Sequence, residues 1–112
     1  MPVVLIDGNH QKKINYVPTV AITGGKVILI GTTLAIASVD AAIDEEVGLN
    51  WPNGGAQYSA LNTDGLAFTA GDDLFFDISN DKGLAAGGDG KIGTVTQDVA
   101  VTDDVIPFLH ER

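Results

Sequence analysis

Ala21-Ile22-Thr23-Gly24-Gly25-Lys26-Val27-Ile28-Leu29-Ile30 recurs further along the chain as Ala67-Phe68-Thr69-Ala70-Gly71-Asp72-Asp73-Leu74-Phe75-Phe76. Each copy has an apolar residue, a Thr-x-Gly turn, two ordinary residues and an apolar strand. Fainter echoes follow, Val47-Gly48-Leu49 after the first copy and Ile92-Gly93-Thr94 after the second. Self-similarity at fixed offsets is the mark of a duplicated supersecondary unit. The pattern predicts an all-β protein in which two pseudo-repeated β units pack as one small barrel or sandwich, jelly-roll-like. Neither unit contains anything that reads as a reaction centre.

Working outward, the flanking segments read as further short strands. Ile14, Tyr16, Val20 and Ile22 share one face at period 2, so 14–22 is expected to be a strand, with Pro18 marking an edge or bulge. Residues 26–30 are nearly all apolar, which suits a strand buried on both sides. Leu34 to Val39 alternates. Residues 40–47 could form a helical turn or a loop entering a strand at 46–51. Gly/Asn/Asp turns fall at 52–55, 62–65, 79–83 and 87–90, a spacing typical of sandwiches and barrels. Residues 91–101 and 105–109 supply the last strands, and Pro107 again suggests an edge. Residues 1–13 read as an extended N-terminal arm, leaving 14–112 as the β domain.

At 112 residues the chain is one domain with enough surface to bury a core. It has no cysteine, which removes disulfides and thiolate metal sites. The apolar run Val3-Val4-Leu5-Ile6 is too short for a signal peptide or a membrane span, and no membrane association is expected. Net charge is −9, from 15 acidic and 6 basic residues. That balance argues against nucleic acid, because phosphate binding needs clustered cations. Lys12-Lys13 is the one basic pair. The acidity reads as a solvated surface, or as self-repulsion that keeps free subunits apart until a partner offsets it.

Residues that could carry chemistry have plainer readings. Asp77-Ile78-Ser79-Asn80-Asp81-Lys82-Gly83 has oxygens at calcium-loop spacing, but its glycine falls one place late and Gly88 stands at the twelfth position; a turn is the better reading. The acidic clusters Asp72-Asp73, Asp103-Asp104 and Asp44-Glu45-Glu46 read as exposed loop charge. His10 and His110, near opposite ends, are expected to be solvated, with no nucleophile motif to accompany them. Gly87-Gly88-Asp89-Gly90-Lys91 lacks phosphate-loop spacing. No catalytic, cofactor or metal residues are assigned. Trp51 is either a core plug or an interface anchor. The arm either adds as a strand to a neighbour's sheet or pairs within its own domain.

The layout resembles a family of small phage capsid cement, or decoration, proteins. The residues that carry the likeness are Ile14-Asn15-Tyr16-Val17-Pro18, the Thr-Gly-Gly turn with Val27 to Gly31, Leu34 to Ala37 and Glu46 to Leu49. Thr69-Ala70-Gly71-Asp72-Asp73-Leu74-Phe75-Phe76-Asp77 and Lys91 to Val95 complete it. Val17 replaces the family's usual Thr, Asp73 adds acidity, and the segment before Lys12 is longer than is typical, so its contacts do not transfer. The resemblance implies a virion structural protein, not an enzyme. Its expected partners are the phage major capsid protein and itself, as a homodimer or homotrimer on the outer surface of the expanded capsid. Candidate contact residues are Val3, Val4, Leu5, Ile6, Lys12, Lys13 and Trp51. The alternative is a β-sandwich carbohydrate- or host-surface-binding module of a fibre or adhesin, using Trp51, Tyr58 and the acidic loops.

Overall fold

A computed structural model describes residues 3–7 and 12–111. The described residues form ten strands and no helix: β1 Val3–Asp7, β2 Lys12–Tyr16, β3 Val27–Ile30, β4 Thr33–Ala37, β5 Val47–Trp51, β6 Gln57–Leu61, β7 Asp73–Asp77, β8 Lys82–Leu84, β9 Gly90–Val95 and β10 Val105–His110. They make two antiparallel sheets packed together. One is four-stranded in the order β2-β5-β4-β3, and the other is six-stranded in the order β1-β6-β10-β9-β7-β8.

The sheet orders show that the repeat is structural. β2-β5-β4-β3 and β6-β10-β9-β7 are the same Greek-key order drawn twice, with β1 and β8 added at the two edges of the second. Each copy opens with a lone bridging residue, Ile22 to Ala41 and Phe68 to Val99. The turn follows, closed by Lys26 N–H donating to the Thr23 carbonyl and Asp72 N–H donating to the Thr69 carbonyl, both at 3.0 Å.

A two-against-one bulge comes next. Gly25 N–H donates to the Ala37 carbonyl at 2.7 Å while Ala37 N–H donates to the Lys26 carbonyl at 2.9 Å. Gly71, Val95 and Asp72 repeat the arrangement, at 2.8 Å for both bonds. Gly25 and Gly71 have φ of 88° and 97°, a conformation that a β-carbon penalises. That requirement keeps glycine at the same place in both copies. The fainter echo is not a structural one: Val47-Gly48-Leu49 lies in β5, whose counterpart is β10, whereas Ile92-Gly93-Thr94 lies in β9.

Two apolar clusters hold the sheets. The larger joins Val27, Leu34 and Ile36 of the four-stranded sheet to Tyr58, Leu74, Phe76, Ile92, Ile106 and Phe108 of the other. Each large apolar side chain fully buried there contributes roughly 1.5–3 kcal/mol. The smaller cluster, around Ala35, Ala37, Val47 and Leu49 with Ile14, Ile28, Ile30 and Trp51 packed on it, occupies the opposite face of the four-stranded sheet. Both faces of β4 are therefore apolar, and all five of its residues are buried.

Of the two readings left open for 40–47, the loop holds: Asp44 is left-handed at φ 65°, Ala41 bridges to Ile22 and Val47 begins β5. Several expectations need correcting. The strand expected over 14–22 stops at Tyr16, and Ile22 rejoins only as a bridge. β3 is an edge strand with Leu29 42% exposed, so it is not buried on both sides. Lys82 and Gly83, read as the end of a loop, belong to β8. Pro107 sits in β10, an interior strand. Its carbonyl accepts from Thr96 N–H at 3.1 Å. Its nitrogen faces the same side, beyond the last residue of β9, where no ladder donor is required.

Candidate functional site

The two outer strands of the four-stranded sheet approach each other. Tyr16 of β2 and Ile28 of β3 lie at opposite edges, yet both line one groove of about 360 Å³, with Pro18, Ile22, Leu29 and Ile78. The sheet is therefore curled, and the groove is the seam left where it does not close. Lys26 stands at this seam with its Nζ 3.8 Å from Asp81 Oδ1, an ion pair between the two sheets. Val17, Val20 and Ile43 are exposed apolar residues, and a backbone bond from Asp44 to the Pro18 carbonyl, 3.0 Å long, draws their two loops together.

In the six-stranded sheet the corresponding seam is filled. β8 pairs with β7 and also contacts β6. Gly83 makes this close approach possible: a β-carbon there would stand 2.7 Å from Ile106 Cδ1 and 3.2 Å from Leu74 Cδ1.

The buried polar groups tie the sheets together. Asn50 Nδ2 donates to the Tyr58 hydroxyl at 2.7 Å, linking β5 to β6. His110 Nε2 donates to the Leu34 carbonyl at 2.8 Å, linking β10 to β4. The imidazole meets the Tyr58 ring edge-on at 5.8 Å. Burial pushes the His110 pKa down, against the smaller upward pull of the Leu34 carbonyl. Burial likewise pushes the Tyr58 phenol up, with the Asn50 bond opposing. His110 is thus a neutral core residue, 1% exposed, and not the solvated terminal histidine expected. The signal was in the sequence: Ile106, Phe108 and His110 alternate in one phase, so a strand that buries the first two buries the third. His10 lies outside the described residues.

The acidic loops serve the fold. Asp77 Oδ2 accepts from Asn80 Nδ2 at 2.8 Å, and this bond, with desolvation opposing it, holds its carboxyl below the usual range. Its oxygens close a turn. Asp89 Oδ2 accepts from Ile78 N–H at 2.7 Å. Among the described lysine side chains, Lys82 pairs with Asp64 at 2.9 Å and Lys91 with Asp73 at 3.2 Å.

Of the sequence-assigned contact residues, Val3, Val4, Leu5 and Ile6 fall in β1. Val3, Val4 and Leu5 stand opposite Ala60, Ser59 and Tyr58 of β6. Lys12 and Lys13 begin β2, opposite Trp51 and Asn50. Trp51 is half-buried against the smaller cluster. Tyr58 is 2% exposed, which takes it out of any surface platform for a sugar.

The molecule is a duplicated β sandwich whose acidic loops largely close its own turns and which turns sheet edges and an apolar seam outward. A family model of phage cement proteins matches residues 8–109, so both units fall within it, and the chain belongs to that family. It is a family of phage capsid structural proteins, not of enzymes. No curated protein matches the chain.

Proposed function

We propose that this protein binds the outer surface of the mature, expanded capsid as a small oligomer, a homodimer or homotrimer, and clamps neighbouring copies of the major capsid protein against the pressure of packaged DNA. The family match across residues 8–109 carries the reading. The molecule's physics supports it. An acidic surface keeps free copies apart, and an oligomer touching several coat subunits gains effective concentration from weak individual contacts. Val3, Val4, Leu5, Ile6, Lys12, Lys13 and Trp51 are the proposed contact residues. A site that straddles subunits would form only when expansion moves them into place.

A sedimentation assay tests this. Purified protein is mixed with expanded, undecorated capsids and with unexpanded precursor shells, and pelleted protein is counted. Saturable binding to expanded capsids alone, with greater heat resistance of the decorated shell, is expected. Equal binding to precursor shells would refute the dependence on expansion, and no binding to either would refute the cement role.

A further inference from the structure

The two copies of the four-strand motif differ most at one place, the seam between their outer strands. In the second copy β8 fills it; in the first it is open, and among the described residues no strand pairs with the outer side of β3. We infer that this seam is a strand-acceptor site, which takes a short, extended, non-acidic segment of a coat subunit antiparallel to β3, as β8 lies antiparallel to β7. The inference rests on the capsid-binding reading above and says where and how one contact is made.

The molecule contains its own template. β7 offers Phe75, Phe76 and Asp77 to Leu84, Gly83 and Lys82 of β8. Matching the two bulges places Leu29 of β3 where Phe75 lies in β7. The Lys26 carbonyl bonds to Ala37 of β4, and main-chain direction alternates along a strand. Val27 and Leu29 therefore aim their N–H and C=O away from β4, at the position a further strand would take. Beside these groups lies the apolar groove, which an alternate side chain of an added strand would enter.

β3 also lacks the features that protect edges. Val27-Ile28-Leu29-Ile30 contains no charge and no proline, and its bulge lies before it. Strand length limits the occupant to three or four residues, since the bulge glycine Gly25 precedes β3 and Gly31, at φ 63°, ends it. Charge selects the class of occupant. Asp89 and Lys26 line the groove, Lys26 is already paired with Asp81, and each copy of this chain carries −9. Edge-to-edge pairing of two copies would bring these charges together, whereas a neutral or basic coat segment meets no such repulsion.

Two variants test the site on expanded capsids. Leu29→Pro removes an N–H that β4 does not use, so the fold should survive with an unchanged melting temperature while capsid affinity falls at least tenfold. Leu29→p-benzoylphenylalanine, irradiated on the capsid, should cross-link to a coat subunit. Should Leu29→Pro prove unfolded, the cross-link decides. Wild-type affinity in folded Leu29→Pro would overturn the inference, as would cross-linking only to another copy of this chain or no cross-link to coat. Failure of the unmodified protein to bind expanded capsids would instead overturn the capsid-binding reading itself, and it is read out first.

Discussion

Asp40 and Asp98 do the same work in the two halves of the molecule. Asp40 Oδ1 accepts from Gly24 N–H at 2.7 Å, and Asp98 Oδ1 accepts from Ala70 N–H at 2.9 Å. Each carboxylate lies one residue before the distant partner of the bridge, Ala41 or Val99, and ties down the middle residue of the Thr-x-Gly turn that follows Ile22 or Phe68. Removing either by Asp40→Ala or Asp98→Ala should destabilise the fold by about 1 kcal/mol, with the two losses equal within a few tenths and additive in the double variant. Urea unfolding of the three variants checks this.

The Asn50–Tyr58 bond joins the sheets where solvent is excluded. Tyr58→Phe leaves the Asn50 amide without its acceptor and should cost about 1–3 kcal/mol. Pairing it with Asn50→Leu removes the stranded group, and the double variant should recover part of that loss. A double-mutant cycle by chemical denaturation measures the coupling.

Acid should loosen the protein through His110. Its folded pKa lies below the ordinary 6.5, so the unfolded chain takes up a proton first as pH falls. The His110 contribution is therefore complete above about pH 6.5 and is lost as pH drops from there through the folded value. Denaturation midpoints between pH 7.5 and 5 should fall in the natural protein, and His110→Gln should flatten that part of the profile.

Gly93 lies where β9 meets β10. A β-carbon there would stand 2.1 Å from the Leu109 carbonyl oxygen and 2.8 Å from Phe108 Cδ2. Gly93→Ala must push the strands apart and should cost about 3 kcal/mol or more, visible as a large fall in melting temperature. Gly71→Ala meets no atom within 4 Å and should cost less, through its φ alone.

Deleting residues 1–11 removes β1 but leaves β6 paired with β10. The shortened protein should fold and bind expanded capsids more weakly than the full chain. Sedimentation with capsids, with circular dichroism as the folding control, measures both. Unchanged occupancy would remove the N-terminal segment from the set of coat contacts.

The duplication was legible because bulge geometry demands glycine at φ above zero, and Gly25 and Gly71 wrote that demand into the sequence twice. What misled was context that no local pattern carries. Val27 to Ile30 reads as a doubly buried strand, and it does send side chains into both clusters, yet its main chain lies at an edge. Pro107 reads as an edge, yet it survives inside a sheet because its neighbour ends one residue short. β8 has only three residues, one of them Gly83, and is held by shape more than by any strand-forming preference. The candidate seam was invisible in the sequence because it is made from the two outermost strands of a curled sheet, β2 and β3.

The pairing of β1 with β6 has a bearing on biogenesis. Every other strand pairs with a partner from its own half of the chain. Synthesis runs from N- to C-terminus, so β1 is made well before β6 and must wait for Leu61 to emerge before its place exists. During that interval the nascent protein presents Val3 to Asp7 and the bare side of β3 together. The order of synthesis therefore makes the growing chain more adhesive than the finished one.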